Sequence, residues 1–271
     1  MSIMPVADPT FSWQEAVGAC AAIAASAFLV TWVVTDVARV RRASYIGVLA
    51  GVTAVLAVGY LATSGTAASD LLTSRWIWGI LAGVVVGGIF APGVRRLPHG
   101  PRPAPDGRVP LLLWEGVVYG IAEAILLSTL PVLAAWHAAV DLGWTDARWE
   151  SIGSGALAIG ASLVVILVHH LGYREFRRSR RMLGVALIAC GAQALAFLLT
   201  GSVLAPVVAH VVLHAQLVLA GNELPPAARV ATSGPTFQRD QRFRRPSVKE
   251  TPTPAAMPSA REGQPAARSA R

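Results

Sequence analysis

Two histidines, His210 and His214, stand four residues apart in an apolar run from Leu204 to Leu219. In a helix this spacing puts both imidazoles on one face, about 6 Å apart along the axis. Two carboxylates, Glu115 and Glu123, interrupt a second apolar run that begins at Pro110, and the pair His169 and His170 closes a third. Imidazole nitrogen and carboxylate oxygen together suit zinc, and two histidines at i and i+4 form half of a site. The same groups can activate water: a carboxylate withdrawn from solvent serves as general base, while an imidazole orients the water or stabilises an oxyanion. Alternatively they bond one another or backbone carbonyls and only fix helix packing.

The elements that position these groups are read from composition. Of 271 residues, 54% are hydrophobic and 14% charged, with a mean hydropathy of +0.54. A soluble domain carries about 25% charged residues. Apolar runs of membrane-spanning length fall at 13–34, 44–63, 76–94, 110–135, 152–171, 182–200 and 203–219. The expected fold is therefore all-α, a polytopic integral membrane bundle of about seven helices. The last run is short and has Pro206 in its first turn, where proline is tolerated.

Charge placement gives the orientation. With seven spans, 21 of the 23 Lys and Arg residues fall on one side, leaving only Arg75 and Arg148 on the other. The positive-inside rule then predicts a multi-pass cell-membrane protein with its N-terminus outside and its C-terminus cytoplasmic. Trp13, Trp76, Trp78, Trp114, Trp136 and Trp149 fall at the ends of the runs, as an aromatic belt requires. The net charge of +8 reads as this inner-face bias set against anionic membrane lipids, not as nucleic-acid binding. Cys20 and Cys190 both lie within runs and read as small apolar packers.

A membrane domain is expected over 1–221. Residues 222–271 contain eight prolines and almost no large aliphatic side chains, which predicts a disordered basic cytoplasmic tail. The stretch 98–107 is Pro/Gly punctuation that separates three leading helices from a block of four. The leading three carry no mid-span ionisable group, which places the chemistry in the last four. His99 and His137 read as solvated loop or interface residues.

The block of four resembles the core of the CAAX-protease and bacteriocin-processing (CPBP, or Abi) intramembrane peptidases over residues 110–220. That family carries Glu-Glu-x-x-x-Arg on one helix, Phe-x-x-x-His on a second and His-x-x-x-Asn/Asp on a third. Here Thr200-Gly-Ser202 feeds a helix whose His210 takes the third-motif histidine position, with His214 where Asn or Asp is usual. Val165 to His169, or Ile166 to His170, resembles the second motif without its Phe. Glu123 matches the first motif, with Ala124 at the second Glu and Ser128 at the Arg, and Glu115 offers a rival placement. The resemblance implies hydrolysis of a peptide or membrane-anchored protein, with Glu123 or Glu115 as base for water and His169, His170 and His210 at the site. His169, His170, His210 and His214 are the expected zinc ligands. The alternative is an inactive relative that binds metal or haem, or a structural membrane protein. Haem needs ligands on opposite faces, so His170 with His210 suits it where His210 with His214 does not.

Overall fold

In a computed structural model of the protein, the described residues are Met4, 11–95 and 105–221. By its contacts the chain divides into Met1–Thr232 and Ser233–Arg271, and every described residue belongs to the first unit. The expected tail at 222–271 and His99 lie outside the described residues. Those residues form nine helices and no strand.

Helix α1 covers Trp13–Thr31 and runs on through a π-helical segment, Trp32–Val37. Ser12 caps it: its hydroxyl accepts from the Glu15 amide at 3.3 Å, and the Glu15 carboxylate accepts from the Ser12 amide at 2.8 Å. Helix α2 covers Arg42–Ser64 and stops at Gly65, which takes the left-handed φ of +66°. A short α3, Ala68–Thr73, precedes α4, Trp76–Arg95. Helix α5 is continuous through Pro105–Leu111, Leu112–Val118, Tyr119–Glu123, Ala124–Thr129 and Leu130–Asp141, and the second and fourth of these segments are π-helical. Then come α6, Arg148–Leu171, the short α7, Arg174–Arg178, α8, Arg180–Thr200, and α9, Leu204–Leu219.

Six of these helices are long and apolar enough to cross a membrane. Their outward residues are apolar, Val55, Ile89, Ile188 and Leu199 among them, and such a surface is suited to lipid and not to water. The chain is a multi-pass helical membrane protein. Helix α5 is its axis: 78% of its apolar window is buried, against 17–39% for the other five. It also extends past the expected end at 135, because its last turn finds polar partners. The Trp13 amide donates to the Asp141 carboxylate at 2.9 Å. The sequence suggested a solvated His137, and the structure buries it. It is 1% exposed, with the Tyr60 hydroxyl 2.5 Å from its Nδ1 and the Phe11 ring against its edge.

Helix α9 has 16 residues, about 24 Å of helix, and is shorter than a hydrocarbon core of about 30 Å. It lies against other helices on two sides. Gly79, Gly83 and Gly87 form one stripe of α4 against it. A Cβ there would come within 2.5 Å of Ser202 Oγ, 2.7 Å of the Ala205 carbonyl oxygen and 2.8 Å of Val212 Cβ respectively. From the other side Gly120 of α5 brings its backbone to Val211, where a Cβ would sit 3.0 Å from Cα. Small residues four apart permit this approach of backbones, and it fixes the face on which His210 and His214 point inward.

Candidate functional site

Glu123 ends the single α-helical turn between the two π-helical segments of α5. It is 7% exposed, and its two oxygens face imidazoles from two different helices. The His214 Nε2–H donates to Oε2 at 2.8 Å, and His169 Nε2 lies 3.4 Å from Oε1. His210, one turn before His214 on α9, lies nearly parallel to it with ring centroids 5.9 Å apart. One ligand atom each from Glu123, His210 and His214 falls within 4.8 Å of the others. Two imidazole nitrogens and a carboxylate oxygen are a donor set that suits zinc and leaves a fourth position for water.

The orientation of His169 comes from α1. Thr31 Oγ1 lies 3.0 Å from His169 Nδ1 and 3.4 Å from the Tyr45 hydroxyl. Nδ1 also lies 3.3 Å from the Ala27 carbonyl oxygen, and where Thr31 donates to Nδ1 the ring proton sits on Nε2, 3.4 Å from Glu123 Oε1. Thr31 is itself held against Gly172, where a Cβ would meet Thr31 Cβ at 2.8 Å. Thr31→Val keeps this packing and removes the donor. It should lower the Nε2–H fraction of His169, read from ¹⁵N shifts of labelled imidazole, and Thr31→Ser should restore it. An equal change in both variants would mean that Thr31 only fills space.

His170, the adjacent residue, turns elsewhere. Its Nδ1–H donates to the Ile166 carbonyl at 2.8 Å, which leaves Nε2 as its free nitrogen. It lines a cavity of about 710 Å³ whose wall also includes Glu123, His210 and His214. Glu115 stays outside the cluster and pairs with Arg42, Oε2 to Nε at 2.6 Å. The Arg42 guanidinium lies over the Tyr119 ring at 5.1 Å, and that ring meets His214 edge-on at 4.6 Å. The Tyr173 hydroxyl stands 2.6 Å from that of Tyr45 and 3.1 Å from that of Tyr119. Burial holds the Tyr173 phenol well above its ordinary pKa, so it remains a proton donor. Cys190 is buried in the same wall, its sulfur 3.9 Å from His210 Nε2.

Glu123, His169, His210 and His214 are thus brought together, His170 faces the adjoining cavity, and Glu115 is held apart by Arg42. Thr31, Arg42 and Tyr45 come from the two leading helices that carried no signal in the sequence. A hydroxyl inside an apolar run is ordinary, and nothing in Thr31 or Tyr45 marks them before the helices meet. Fold and site define a multi-pass helical membrane protein with a buried carboxylate–imidazole centre. Compared with protein-family models, curated proteins and solved structures, the chain matches none.

Proposed function

We propose that this chain is an intramembrane hydrolase akin to the CPBP peptidases, cleaving a peptide or membrane-anchored protein near the inner membrane surface. The observation that carries this reading is a buried carboxylate with a separate imidazole at each oxygen, at the wall of an open cavity. Glu123 takes a proton from water as the water oxygen attacks the peptide carbonyl. His169 and His214 hold the carboxylate in place, and the proton passes to the departing amine. With zinc bound, Glu123, His210 and His214 would hold the metal in place of the His214–Glu123 hydrogen bond, the other Glu123 oxygen would remain beside His169, and the metal would supply Lewis-acid polarisation of the water.

A second reading is a relative that no longer cleaves and binds metal or haem, or serves structurally. It draws on Ala124 and Ser128, at the family's second Glu and its Arg. Both are fully buried, and the Ser128 hydroxyl has no hydrogen-bond partner. Full-length protein in membranes separates the two readings. Cleavage of co-expressed membrane-anchored peptides together with bound zinc, both lost in His210→Ala, supports the hydrolase. Neither cleavage nor zinc in wild type overturns it, and a Soret band would point to haem.

The orientation we infer has the N-terminus outside and the C-terminus in the cytoplasm, supported by the placement of 21 of 23 basic residues. It puts the Arg42 end of the cavity at the inner surface. A reporter fused after Arg271 should be active only as a cytoplasmic fusion, and periplasmic activity would reverse the assignment.

A further inference from the structure

The cavity beside the polar centre is built from two unlike parts. One part is apolar, walled by Phe90 and Val94 of α4, Val185 and Ala186 of α8, and Leu213 and Leu217 of α9. Met182 and Val185 line it and are themselves exposed, at 41% and 57%, so the chamber opens at the side of the bundle between α4 and α8. Met182 and Val185 lie in the first two turns of α8, so in a multi-pass membrane protein that opening sits at the edge of the bilayer hydrocarbon. The other part is polar and cationic. Arg42 lines the wall with only its Nε engaged by Glu115, and its Nη2 is buried without a hydrogen-bond partner. Next to it stand the joined hydroxyls of Tyr45, Tyr119 and Tyr173, with that of Tyr45 also 3.4 Å from Thr31 Oγ1, and a Tyr119 or Tyr173 proton turned to a bound acceptor would leave one of these contacts. A half-buried guanidinium with its Nη2 unpartnered is completed by an oxyanion, whose charge-assisted hydrogen bonds are the strong kind.

We propose that this cavity binds a long-chain carboxylate drawn from the bilayer, its head on Arg42 and the tyrosine hydroxyls and its chain in the apolar chamber. The volume, about 710 Å³, lies within the roughly 300–1,000 Å³ usual for small-molecule sites. Arg42 and Arg181 are offset by Glu115 and Glu123, so a carboxylate adds one uncompensated charge and a dianionic phosphate monoester two, which ranks the monoester below the carboxylate.

Binding is read without turnover, so it stands or falls separately from hydrolysis. Full-length protein in phosphatidylcholine nanodiscs is titrated with a fluorescent C18 polyene carboxylic acid, its primary alcohol and its phosphate monoester. The acid should bind saturably, about tenfold or more tighter than the alcohol. Arg42→Gln should bring the acid down to the affinity of the alcohol. Val185→Trp, which narrows the chamber at its exposed rim, should weaken both. An alcohol that binds as well as the acid, a phosphate that binds more tightly, or Val185→Trp without effect would overturn the proposal. If Arg42→Gln does not accumulate, Tyr173→Phe takes its place, with an expected loss of several-fold for the acid and none for the alcohol. Equal losses for the two would count against the carboxylate site.

Discussion

Replacing Glu123 by glutamine should lower the proposed hydrolysis by about 10²- to 10⁴-fold, the range that a positioned general base contributes, while the protein still folds. Glutamine has the size of glutamate and keeps one oxygen that can accept from His214 Nε2, now 2.8 Å from Oε2. It cannot take a proton from water. Glu115→Gln is the matched comparison, because Glu115 lies in the same helix and is engaged by Arg42 at 2.6 Å. Its expected cost is a few-fold in rate and up to about 1 kcal/mol of stability, as for a partly exposed ion pair. Initial rates of membrane-anchored peptide cleavage by the two variants, at matched protein levels, check the assignment. A Glu115→Gln loss as large as that of Glu123→Gln would move the base to Glu115.

The second large effect lies away from the polar centre. Gly83→Leu should cost about 3 kcal/mol or more and abolish the proposed zinc site together with the fold of α9. The atom that a Cβ at Gly83 would meet is a backbone oxygen, that of Ala205, at 2.7 Å. Backbone cannot swing aside as a side chain can, so α9 itself must move. That helix carries both His210 and His214, and displacement separates them from Glu123. Gly88→Leu is the control, since a Cβ at Gly88 has nothing within 4 Å. Thermal unfolding in detergent should show a large drop for Gly83→Leu and almost none for Gly88→Leu. Similar drops would mean that glycine matters in α4 for reasons other than contact with α9.

Much of this architecture was legible before any coordinates, and the reasons are physical. Lipid requires long apolar runs, so the spans were visible as runs and their order followed. The i, i+4 spacing of His210 and His214 put them on one face in any helix. The choice between His169 and His170 was not available, because neighbours on a helix point about 100° apart and only the azimuth of α6 decides which meets Glu123. Nor could Glu115 be told from Glu123: the difference is Arg42, 73 residues from Glu115 in sequence. The burial of His137 depends likewise on Tyr60, 77 residues away. One further signal lies in the leading helices. Gly79, Gly83 and Gly87 recur every four residues, a spacing that marks the face of a membrane helix where another backbone comes close.

The π-helical segments that bracket Glu123 have a consequence for how this chain tolerates change in length. A π-turn holds one residue more than the α-turn it replaces, so each segment is a place where a residue can be lost while the hydrogen-bonded ladder closes again. Such a loss would leave the bearing of later side chains around the axis nearly unchanged, because the turn still closes on one revolution. A deletion within Leu112–Val118 would keep Glu123 facing His214, and one within Ala124–Thr129 would keep His137 and Asp141 on their partners. The same loss within the α-helical Leu130–Asp141 would swing every later side chain by about 100°. Helix α5 thus carries slack at two places, where a frame-preserving codon loss is tolerated and elsewhere is not.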